Sequence, residues 1–79
     1  MKVQVLVRLK SGVLDVQGKA VENSLRGLGI EDFSDVRIGK LVELEVNSES
    51  FDDAKKKAVD LCERLLANTI IEQYEIRQG

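Results

Sequence analysis

Between Asp35 and Asn47, Val36, Ile38, Val42, Leu44 and Val46 all occupy even positions, while Asp35, Arg37, Glu43, Glu45 and Asn47 occupy odd ones. Period-two alternation over such a length is the mark of extended chain with one face buried. Gly39-Lys40 in the middle invites a hairpin. A two-residue turn there pairs Val36 with Glu43, and directly paired residues share a face, so a carboxylate would be buried. Because a one-residue slip flips every later side chain, the unbroken phase favours one strand of about twelve residues, kinked or bulged at Gly39. That exceeds the common strand length of about 5–6 residues. Shorter neighbours leave an overhang of unpaired backbone, which dimerisation through the sheet would cover.

The rest of the chain supplies those neighbours. Val3, Val5, Val7 and Leu9 alternate with Lys2, Gln4, Arg8 and Lys10, a second half-buried strand that ends at Ser11-Gly12. Asp15 is placed to cap a helix by accepting from first-turn N–H groups. Ala20, Val21, Ser24, Leu25 and Leu28 follow at helical spacing, and Gly29 is placed to end that helix in a left-handed turn. Ser50 caps a second helix, with Asp53 as the partner of a capping box and Ala54, Ala58, Leu61, Cys62 and Leu65 as its apolar stripe. Asn68 is a stop signal, and Ile70, Tyr74 and Ile76 form a last strand. The order is strand, helix, long strand, helix, strand. It predicts an α+β two-layer sandwich over residues 1–79 as a single domain, with an antiparallel sheet, two helices on one face and the sheet extended by dimerisation.

Seventy-nine residues afford one thin core. With only Phe33, Phe51 and Tyr74 as aromatics, that core must be aliphatic. Twelve basic and fourteen acidic residues are interspersed, so nothing marks a nucleic-acid surface. The Lys55-Lys56-Lys57 run reads as a solvated helix face. No apolar run reaches the roughly 20 residues that span a bilayer, and polar residues interrupt the N-terminal segment where a signal peptide would be apolar. One cysteine excludes an internal disulfide. Together these predict a cytoplasmic protein without membrane or nucleic-acid partners.

Catalytic equipment is sparse. The chain has no histidine, which removes imidazole acid–base chemistry and His-based metal sites. Cys62 lies in an apolar stripe without a base beside it, the setting of an inert thiol. Glu72 and Asp35 could in principle pair as acid and base, but strand-face carboxylates are ordinarily solvated. Gly27-Leu28-Gly29 follows a helix, whereas a phosphate-binding fingerprint follows a strand and opens a helix. Arg37-Ile38-Gly39-Lys40 sets two cations around a glycine, a site for an anion or a partner carboxylate.

Three stretches resemble one known family in order and spacing. They are Leu14-Asp15-Val16-Gln17-Gly18, Asp35-Val36-Arg37-Ile38-Gly39-Lys40, and Cys62-Glu63-Arg64-Leu65-Leu66-Ala67-Asn68-Thr69-Ile70-Ile71-Glu72. They look like the LDPQG, DVRIGK and CEKLLANPVIE pattern of the PurS family, the small subunit of phosphoribosylformylglycinamidine synthase. Val16 and Thr69 stand where that pattern has proline, so some local rigidity is lost. The resemblance implies a non-catalytic subunit in de novo purine biosynthesis. It also implies a homodimer or tetramer that bridges a PurQ-like glutaminase and a PurL-like synthetase and assists ammonia transfer. ATP, magnesium and nucleotide are used by the complex, with no cofactor bound by this chain. Asp15, Gln17, Gly18, Arg37, Gly39, Lys40 and Asn68 are the candidate partner contacts. The rival reading is a ferredoxin-like module that regulates by binding a small molecule.

Overall fold

The structure is a computed structural model that describes residues 1–79. Its elements are β1 (Lys2–Leu9), α1 (Val16–Gly27), β2 (Gly39–Glu45), α2 (Phe51–Leu61) and β3 (Glu72–Gln78). A π-helical turn over Cys62–Leu66 continues α2. The three strands form one antiparallel sheet in the order β2-β1-β3. The α+β architecture and its element order are those the sequence predicts.

Alternation in β1 decides how the sheet is buried. Val3, Val5 and Val7 are at most 2% exposed. Register sets Val3 beside Leu44, Val5 between Val42 and Ile76, and Val7 beside Tyr74. Ala54, Ala58 and Cys62 recur every four residues and lay a row of small side chains on that face. A helix side lined by small residues lets its backbone approach the valines closely, which a core this thin requires. On the opposite face Gln4, Leu6, Arg8, Leu41, Glu43, Glu75 and Arg77 are exposed or half-buried.

Both helix starts are capped by the residues the sequence singles out. The Gly18 N–H donates to Asp15 Oδ1 at 2.7 Å, and the Asp53 N–H donates to Ser50 Oγ at 3.2 Å. The Asp53 carboxylate does not close a capping box. It accepts from Ser48 Oγ at 2.7 Å and lies 3.2 Å from Lys57 Nζ. At the end of α1 the Gly29 N–H bonds Arg26 O and the Ile30 N–H bonds Leu25 O, with Gly29 at φ 75°. That is the paired 6→1 and 5→2 pattern that absorbs orphan helix carbonyls, and it needs a left-handed residue at this point.

Four particulars depart from expectation. The regular strand begins at Gly39, not Asp35, so β2 has seven residues and no long overhang. Residues 36–38 remain extended and keep the phase, with Val36 and Ile38 half-buried, but Asp35 turns the chain at φ 55°. Second, only α2 covers the sheet, packing on β1 and β3, while α1 lies off it. Third, the Ala67 N–H bonds Cys62 O across five residues, and this wider turn directs Leu66 and Ala67 to the core while Leu65 stays exposed. The last strand likewise starts at Glu72, leaving Ile70 in an exposed turn.

Candidate functional site

Asp15, Gln17, Gly39 and Lys40 line one cleft of about 470 Å³ between the start of α1, the end of β1 and the start of β2. Arg8, Leu14, Val16 and Glu72 are also among its lining residues. Leu14 and Val16 were not among the expected contact residues; two large apolar side chains that flank a helix start and stay exposed are the signal that could have pointed to them.

The centre of the arrangement is Asp15, which is buried. Its Oδ1 accepts from the Gly18 N–H and its Oδ2 from the Ile38 N–H, both at 2.7 Å. The Arg37 Nε lies 3.9 Å from Oδ2. Two backbone donors, reinforced by the nearby guanidinium, hold the Asp15 carboxyl below the ordinary carboxylate value. Gly18 stands behind the cleft with its backbone against the Val36 carbonyl, where any side chain would collide with that oxygen. A Cβ on Gly39 would meet Val7 O at 2.5 Å, so the first residue of β2 must also be glycine. Both glycines therefore serve close backbone approach.

The two cations have different employment. Arg37 donates to Leu9 O at 3.4 Å, Lys10 O at 3.2 Å and Val13 O at 3.3 Å, gathering the turn after β1. Lys40 is exposed at the rim and has neither an ion pair nor a side-chain hydrogen bond. Asn68 lies outside the cleft and organises its own turn. Its Oδ1 accepts from Ile70 N–H at 3.2 Å, its O accepts from Ile71 and Glu72 N–H, and its own N–H donates to Glu72 Oε1 at 2.6 Å. Glu72 thus carries the only link between Asn68 and the cleft, and it makes no pair with Asp35.

The cleft is lined by no Ser, Thr or Cys side chain. Cys62 is fully buried against Val5 and Val7, and burial pushes its thiol above the ordinary value. Tyr74 donates to Glu63 Oε1 at 2.9 Å, which raises the phenol's pKa and leaves it committed as a donor. No three of the chain's Asp, Glu and Cys side chains converge as a metal-binding group would. No helix is long and apolar enough to cross a membrane.

Fold and cleft together define the class: a small open-sheet α+β protein that leaves one sheet face uncovered and ten large apolar side chains exposed. Residues 2–78 match the PurS family, phosphoribosylformylglycinamidine (FGAM) synthase, and the chain belongs to it. The PurS subunit of FGAM synthase from Bacillus subtilis is 47% identical over 73 residues, covering 92% of this chain and 86% of that protein. The Methanocaldococcus jannaschii subunit is 32% identical over 76 residues, 96% and 92% of the two chains. Among solved structures, the PurS subunit of Thermotoga maritima superposes with a TM-score of 0.90 at 33% identity, covering 99% of this chain and 90% of that one. A chain in the structure of PurLQS from the same organism gives 0.89 at 33% identity, covering 99% and 95%.

Proposed function

We propose that this chain is a non-catalytic subunit of the glutamine-dependent FGAM synthase of de novo purine biosynthesis. As a homodimer it bridges a PurQ-like glutaminase and a PurL-like synthetase and helps carry ammonia between them. The observation that carries this reading is surface: Leu14, Val16, Leu28, Phe33, Leu41, Leu65 and Ile70 are each more than half exposed. Apolar side chains exposed in that number on so small a protein call for partner surfaces. The family supplies the partners, since a close structural relative comes from a PurLQS structure.

ATP, magnesium and nucleotide are assigned to the synthetase partner. Ammonia released into water would protonate and diffuse away, so a rigid spacer that holds donor and acceptor sites in register raises its effective concentration. Dimerisation extends the sheet through the free edge of β2, and the assembly works in the cytoplasm. The Lys40 rim, with its uncommitted cation, is the partner-contact point on the cleft.

Reconstitution tests the proposal. Mixing this protein with cognate glutaminase and synthetase subunits is expected to give glutamine-dependent FGAM formation that collapses when it is omitted. Glutamine-dependent turnover of equal rate without it overturns the reading.

A further inference from the structure

Helix α1 is attached to the molecule in an unusual way. It lies off the sheet, and its apolar residues bury little: Leu25 is half-buried, Val21 is 40% exposed and Leu28 is 74% exposed. What ties it down is polar. Asp15 Oδ2 accepts from the Ile38 N–H at 2.7 Å, and Glu22 Oε1, one helical turn beyond Gly18, accepts from the Val36 N–H at 2.8 Å. Two carboxylates of one helix thus hold alternate amides of one extended segment, the amides a neighbouring strand would otherwise take. Gly18 allows the approach by presenting bare backbone to the Val36 carbonyl between those two bonds. Lys19, 3.2 Å from the Glu22 carboxylate, and Arg37, beside Asp15, keep both acceptors charged. Left-handed residues bound this unit on either side, Gly12 at φ 88° and Asp35 at φ 55°.

We propose that α1 is an arm, secured to residues 36–38 by this pair of carboxylate-to-amide latches and able to release as a unit while the sheet and α2 stay folded. Regions with few buried apolar contacts open at free energies well below global unfolding. Here the latch bonds, not a hydrophobic seat, set that opening. Release swings the apolar surface of Leu25, Leu28, Ile30 and Phe33 relative to the sheet without disturbing Val3, Val5 and Val7. The proposal does not depend on the subunit assignment above.

Amide hydrogen exchange on the full chain at one protein concentration is the test. Asp15→Asn turns one of the two acceptor atoms into a donor facing an N–H, and Glu22→Ala removes the other latch. Each variant is expected to accelerate exchange of the amides from Gly18 to Gly27 at least tenfold, with those amides remaining less protected than the amides of β1 and β3. No acceleration of the arm amides, or arm amides as strongly protected as those of β1, overturns the proposal. Wild-type protein in low urea gives an independent measurement that no folding defect can confound. The α1 amides are expected to exchange through an opening with weaker urea dependence than that of β1. Equal urea dependence for α1 and β1 likewise overturns it.

Discussion

Arg37 and Lys40 stand three residues apart with the same charge, yet the structure gives them opposite duties. Arg37 is spent on the carbonyls of Leu9, Lys10 and Val13, so Arg37→Ala strips three acceptors of a charged donor and frees the turn after β1. Lys40→Ala removes nothing the fold uses, and its stability is expected to stay within about 0.5 kcal/mol of wild type. Urea midpoints are therefore expected to fall for Arg37→Ala and hold for Lys40→Ala, while glutamine-dependent activity of the reconstituted complex falls for Lys40→Ala alone at unchanged stability. A lower midpoint for Lys40→Ala contradicts the assignment. Gly18→Ala carries a second expectation. Its new methyl meets the Val36 carbonyl oxygen, which cannot swing aside as a side chain would. The cost is about 1–3 kcal/mol, toward the upper end, read as a shift in urea midpoint. Of this site, the sequence discloses the cap at Asp15 because its Gly18 donor is three residues away. It does not disclose the Ile38 or Val36 donors, since bonds across 23 and 14 residues depend on where the chain returns. Arg37 was ambiguous for the same reason: its acceptors are backbone carbonyls, which no side-chain pattern records.

At the level of elements, the pattern from Val36 to Val46 was legible as extended chain and misleading as strand length. Side-chain alternation follows from extended dihedrals alone. It persists whether the amides pair with a neighbouring strand, as in β2, or with carboxylates of a helix, as at Val36 and Ile38. The second helix shows the converse limit. Its Ala54, Ala58, Cys62 row was plain from spacing, but the i→i+5 closure at Ala67 advances the stripe by one residue, so Leu66 replaces Leu65 in the core. A buried Cys62 in that row is expected to resist thiol reagents in the native protein at pH 8 and react fully once unfolded. Rapid stoichiometric labelling of native protein contradicts the packing. The carboxylates that join elements give a pH signature. Asp15 and Asp53 are held below the ordinary Asp value of 3.8, and Glu22 below the ordinary Glu value of 4.5. Backbone donors at Gly18 and Val36 are the leading causes for Asp15 and Glu22, and the Ser48 hydroxyl for Asp53. Their contribution is complete above pH 4.5. It shrinks as the unfolded chain takes up protons near 4.5 and 3.8, and it is gone below the depressed native values. Urea midpoints measured from pH 7 to pH 3 are expected to be level in the upper range and to fall through this window. Asp15→Asn should flatten part of the fall.

The whole molecule is long and thin, 50 × 24 × 14 Å, with a radius of gyration of 15.8 Å. A compact chain of this length would have about 12 Å. Only eight of its residues are buried, so the sheet's single covered face supplies nearly all the core there is. The sequence pointed to a dimer by way of a strand too long for its neighbours. With β2 at seven residues there is no such overhang, and it is the exposed surface that calls for a partner. The apolar residues that follow α1, Leu28, Ile30 and Phe33, are 74%, 37% and 65% exposed, and the outer edges of β2 and β3 are both unpaired. A monomer would leave the apolar arm and two sheet edges in water, a combination prone to association. In a two-fold dimer each contact occurs twice. If Phe33 is seated there, its two copies contribute about 1.5–3 kcal/mol each, roughly a hundredfold or more in the dimer's dissociation constant. Sedimentation at micromolar concentration is accordingly expected to show a dimer or larger species for the wild type. Phe33→Ala is expected to shift the monomer–dimer midpoint to concentrations at least a hundredfold higher with β1 exchange protection intact. A wild type that sediments as a stable monomer at micromolar concentration removes the basis for a dimeric bridge.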